Sequence, residues 1–83
     1  MDINRENEYV NTQVMNDVRN LMDALPAPQR EVVYMRFYQD LSFKEIAEIT
    51  GVSINTSLGR MRYALINMRR MAKEHHIQLN MEL

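Results

Sequence analysis

Cysteine is absent from the 83 residues, which removes disulfides, thiolate metal sites and cysteine nucleophiles together and suits a reducing cytosol. No apolar run exceeds a few residues, so none can span a membrane, and the acidic, polar beginning lacks the pattern of a signal peptide. The two glycines cannot build a glycine-rich phosphate loop. Neither a carboxylate pair nor a nucleophile with its base is in view, so catalysis has no residue to carry it and no cofactor is implied. His75 and His76 are adjacent, point in different directions on a helix, and do not form a two-ligand metal site by themselves. A soluble cytoplasmic protein, neither an enzyme nor a membrane binder, is the expectation.

What is present is 46% hydrophobic and 25% charged residues, enough for one compact domain with a modest core and no deep pocket. No internal repeat or low-complexity tract is visible. Most of the eight methionines fall on apolar helix faces, where flexible thioethers fill core gaps rather than bind metal. The formal net charge of -1 conceals a segregation. Residues 1–25 carry Asp2, Glu6, Glu8, Asp17 and Asp23 against Arg5 and Arg19, whereas residues 54–73 carry Arg60, Arg62, Arg69, Arg70 and Lys73 with no acid. Such a distribution fits a protein with one face for a polyanion and another for something different; the plainer reading is a solvated basic helix.

Residues 1–10 are polar and acidic without a period and read as a linker or disordered lead. From Asn11, Val14, Val18, Leu21, Met22 and Leu25 recur at helical spacing until Pro26 stops the pattern. Pro28 suits the first position of a second helix running to about Tyr38, with Val32, Val33, Met35 and Phe37 as its apolar residues and Gln39-Asp40 as the connection. Ser42-Phe43-Lys44-Glu45 is a capping box, Leu41 and Ile46 form a hydrophobic staple, and Gly51 can leave the helix in a left-handed conformation, so a short third helix occupies 43–50. Ser53 caps a fourth helix from Ile54 to about Glu74. The expected architecture is all-α: a four-helix domain over 11–74 ending in a helix-turn-helix, followed by a short tail at 75–83.

A short capped helix, a glycine turn and a long basic helix follow the plan of a helix-turn-helix. The wider string adds Leu25-Pro26, Arg30-Glu31-Val32-Val33, Phe37, Leu41 to Ile49 and Gly51-Val52-Ser53. It closely resembles region 4 of bacterial sigma factors, especially the extracytoplasmic-function class, over about residues 24–73. The resemblance implies a domain that recognises the minus-35 promoter element of double-stranded DNA with its last helix and docks on the β flap of RNA polymerase core. It would direct initiation as part of an alternative sigma factor, as a monomer, with an anti-sigma factor as a further partner.

At about 100° per residue, Ile54, Leu58, Met61, Leu65 and Met68 fall along one side of the last helix and are expected to be buried. The opposite side carries Thr56, Gly59, Arg60, Tyr63, Asn67 and Arg70, flanked by Asn55 and Arg62. Arginine can grip guanine, asparagine can grip adenine and threonine can touch a thymine methyl, so Asn55, Thr56, Gly59, Arg60, Arg62 and Tyr63 are the expected base readers. Gly59, costly inside a helix by about 1 kcal/mol, suits close approach to a groove or is a neutral surface position. The resemblance implies that Ser42, Phe43, Lys44 and Arg36 lie near the DNA backbone, the first three at a helix N-terminus, and with Ser53 and Arg70 they are the expected phosphate contacts. Three positions depart from the family pattern. Ser57 replaces a branched apolar residue, Leu58 a lysine or arginine, and Tyr63 an arginine. Either the buried stripe is rotated or Leu58 meets a thymine methyl. Two other readings remain: a free-standing helix-turn-helix regulator of the two-component response type, and a sigma-like interaction module that hardly binds DNA.

Overall fold

The structure, a computed structural model, describes residues 16–77. The expected lead at 1–10, the start of the first helix at Asn11 and the tail residues 78–83 lie outside them. The described residues form four α-helices and no strand. Helix α1 is described over 16–23, α2 spans Ala27–Phe37, α3 Phe43–Thr50 and α4 Ile54–Glu74.

Each boundary has a local cause. Helix α1 closes with the Leu25 N–H donating to the Met22 carbonyl at 3.0 Å, and the following Pro26 serves as N-cap of α2. The second helix starts at Ala27, so Pro28 holds its second position rather than the first. That shift costs no hydrogen bond, because N–H groups of the first turn have no intrahelical partner. Between α2 and α3, Asp40 takes a left-handed conformation, φ 53°, and the Leu41 N–H donates to the Met35 carbonyl at 3.1 Å. Helix α3 ends on Gly51, φ 70°, with the Val52 N–H donating to the Ala47 carbonyl at 3.0 Å, the six-to-one closure of a Schellman turn. Helix α4 ends the same way without glycine: His76 has φ 56° and the Ile77 N–H donates to Ala72 at 2.7 Å.

The four helices share one core. Leu21 and Met22 from α1, Leu25 from the α1–α2 connection, Val32 and Val33 from α2, Ile46 from α3, and Met61, Ala64, Leu65, Met68 and Ala72 from α4 form a single buried cluster. Helix α4 packs on both α2 and α3, which also touch each other. Phe37, expected among the apolar residues of α2, is 43% exposed instead. Val32 and Val33 already fill the α2 contribution, and Met35 packs against the cluster from its edge.

The buried side of α4 differs from the one its strongly apolar residues suggest. Met61, Leu65 and Met68 are inside as expected, but Ile54 is 45% exposed and Leu58 only half-buried. Their places are taken by Ser57, Ala64 and Ala72. Small side chains let α4 approach its neighbours closely, so the stripe is turned toward them, and Ile54 overhangs at the helix start. Ser57 has a cost there: it is fully buried and its hydroxyl has no hydrogen-bond partner among the described residues. An unpaired buried hydroxyl is worth about 1–3 kcal/mol of lost solvation. Ser57→Ala is therefore expected to raise stability by about 1 kcal/mol, read as a higher urea midpoint with an unchanged slope.

Candidate nucleic-acid interface

The N-terminus of α3 is built by its capping box. The Glu45 N–H donates to Ser42 Oγ at 3.1 Å and the Ser42 N–H donates to Glu45 Oε1 at 3.0 Å. The N–H groups of Phe43 and Lys44 remain at the positive end of the helix dipole, with the Lys44 side chain exposed beside them. The Glu45 carboxyl is held below the ordinary glutamate value of 4.5, first by the Ser42 backbone N–H and then by its side chain. A carboxyl with a lowered folded value stabilises the fold fully above its unfolded value and loses that contribution as pH falls through the folded one. Glu45→Gln keeps a capping side chain that does not titrate. Its melting temperature is expected to fall less steeply than that of the wild type below pH 4.5, in melts followed by circular dichroism.

Arg36, expected at phosphate, is engaged within the protein. One guanidinium nitrogen donates to the Leu41 carbonyl at 3.0 Å, and the group lies over the Phe43 ring, 5.0 Å from its centroid. Arg36, Leu41 and Phe43 thus clamp the end of α2 to the start of α3, and Phe43 is half-buried against the core. Their role in holding Ser42 and Lys44 in place was invisible to spacing arguments, because a side chain reaching a loop carbonyl leaves no periodic signal.

Past Gly51, Ser53 caps α4: its Oγ accepts from the Thr56 N–H at 3.1 Å and donates to Thr56 Oγ1 at 2.9 Å. Asn55, Thr56, Arg62 and Tyr63 are exposed on the same helix, Tyr63 by 64%. Gly59 is flanked by open space, with no atom within 4 Å of where a Cβ would stand, so no internal contact requires a glycine there. Arg60 is half-buried. Asn67, expected on the open side, faces α2, and its side-chain amide donates to Gln29 Oε1 at 2.8 Å. The rotation of the core stripe accounts for the second observation by turning Asn67 toward α2. Arg70, far along the helix, is exposed and paired with Glu74 at 3.0 Å.

The open face of α4 consequently includes Asn55, Thr56, Arg62, Tyr63 and Ile66. Ile66 is 56% exposed and, with Arg62, Leu65 and Arg69, borders a shallow depression. Sequence reasoning passed over it; the available signal was an isoleucine among polar neighbours at a position outside the apolar line. Among the described residues no group of His, Asp and Glu side chains could hold a metal ion, and no helix is long and apolar enough to cross a membrane.

A short helix whose N-terminus is flanked by lysine, a left-handed glycine turn and a long helix with an exposed polar and basic face make a helix-turn-helix of groove-entering shape. Comparison with known proteins agrees. The family model described as "Sigma-70, region 4" matches residues 15–62. RNA polymerase sigma factor SigV of Bacillus subtilis (strain 168) is 38% identical over 65 residues, covering 78% of this chain. The chain spans about 37% of the length of that relative. With the helix-turn-helix geometry and a family match over more than half of its length, the chain belongs to the sigma-70 region 4 family.

Proposed function

We propose that residues 11–74 form the promoter-recognition domain of an alternative sigma factor and direct transcription initiation by reading the minus-35 element. The first turns of α4 enter the major groove, where Asn55, Thr56, Arg62 and Tyr63 meet base edges and Gly59 allows the helix backbone to approach. Arg60, half-buried beside them, adds a further contact. The N–H groups of Phe43 and Lys44, the Lys44 ammonium and the capped serines Ser42 and Ser53 lie along the phosphates and set the register. Arg36 supports this contact through its clamp on Leu41 and Phe43, and Arg70 adds long-range attraction. The observation that carries the reading is the exposed polar and basic face of α4, turned away from the core on the helix that follows the capped α3 through a left-handed glycine turn.

The domain works as a monomer in the cytoplasm, docks on the β flap of RNA polymerase core, and is open to an anti-sigma factor. An amide-resolved NMR titration with short duplexes, at low and physiological salt, tests the DNA reading. Shifts concentrated at Ser42–Lys44 and Asn55–Tyr63 that fade with salt are the expected result. Unmoved amides at both places with retained polymerase binding would mean that the domain is an interaction module instead.

A further inference from the structure

Methionine is the main oxidisable side chain of this protein, since cysteine is absent and eight methionines are present. Five of them surround one core: Met22, Met61 and Met68 belong to the buried cluster, and Met35 and Met71 pack against it. They do not share one environment. Met61 and Met68 are fully buried beneath α4. Met22 and Met35 line a cavity of about 520 Å³ between α1 and α2, bounded also by Arg19, Glu31, Tyr34 and Tyr38. A peroxide molecule, scarcely larger than water, fits such a cavity without the helices parting.

We propose that Met35, with Met22 beside it, is an oxidation site through which hydroperoxides weaken this fold. With hydrogen peroxide, the thioether sulfur attacks one oxygen and forms an S–O bond as the O–O bond breaks; the proton on that oxygen passes to the departing hydroxide, which leaves as water. The sulfur is oxidised by two electrons and the peroxide reduced by the same two. The sulfoxide is polar and chiral where a flexible apolar side chain had filled the core margin. Met35 also holds the connection to the helix-turn-helix, because its carbonyl accepts from the Leu41 N–H at 3.1 Å and Arg36 follows it in the chain. Methionine sulfoxide reductases reverse the product, so the change can be cycled.

The test is exposure of the full chain to dilute hydrogen peroxide, with the oxygen gained at each methionine followed by peptide-resolved mass spectrometry and melting followed on the same samples. Met35 and Met22 are expected to react at least about tenfold faster than Met61 and Met68, which react only when the domain opens. The melting midpoint should fall by about 4–8 °C as they do, and reductase treatment should restore it. The double variant Met22→Leu, Met35→Leu, a swap that packed sites tolerate, should keep its midpoint at the same oxidant dose. Oxidation of Met22, Met35, Met61 and Met68 at one rate would overturn the cavity route. An unchanged midpoint after Met35 is oxidised, or an equal fall in the double variant, would overturn the consequence assigned to it.

Discussion

Ile46→Ala is expected to remove a large share of the stability of the domain. Ile46 is fully buried, lies in the central cluster and is the main apolar anchor of α3, an eight-residue helix too short to persist alone. Truncating such a side chain costs about 2–5 kcal/mol in transfer energy and cavity. The whole domain holds only about 4–12 kcal/mol, at the usual 0.05–0.15 kcal/mol per residue. The loss falls first on the helix-turn-helix, since α3 has no other fully buried large side chain. Urea titration by circular dichroism should show a midpoint reduced by half or more, or a chain already unfolded in buffer. A midpoint within a tenth of the wild-type value would mean that α3 is held by its caps rather than by the core.

Arg62→Ala and Lys44→Ala are expected to weaken DNA binding in different ways. Arg62 lies on the open face of α4 two turns from its start, so its loss removes a base contact worth about 1–3 kcal/mol, or roughly 5- to 150-fold in Kd, and relaxes preference at one base pair. Lys44 lies beside the N-terminus of α3. Its loss should weaken all duplexes alike and lower the salt slope by about 0.9. Fluorescence anisotropy on a set of single-base variants of one duplex, at several salt concentrations, separates the two. A uniform loss for Arg62→Ala would move that residue from base reading to phosphate contact, and a base-selective loss for Lys44→Ala would do the reverse.

The local rules carried far in this chain. Ser42 with Glu45, Gly51 and Ser53 act through hydrogen bonds that span at most a few residues, so the ends of α3 and the start of α4 were readable from residue type and spacing. The orientation of α4 about its own axis was not. It depends on Ser57, Ala64 and Ala72, which count little by hydrophobicity yet permit close approach, and on Asn67 meeting Gln29 at a separation of 38 residues. Arg36 meets Leu41 and Phe43 through the conformation of the connection between α2 and α3, which no periodicity encodes, and the turn of α4 leaves Ile66 facing outward.

The amide pair of Gln29 and Asn67 has an evolutionary corollary. Because it ties α4 to the first turn of α2, a substitution at residue 29 can roll the long helix by a few degrees and alter which of its side chains descend furthest into a groove. Binding preference could then drift without any change in α4 itself, and two relatives with identical last helices need not choose the same targets.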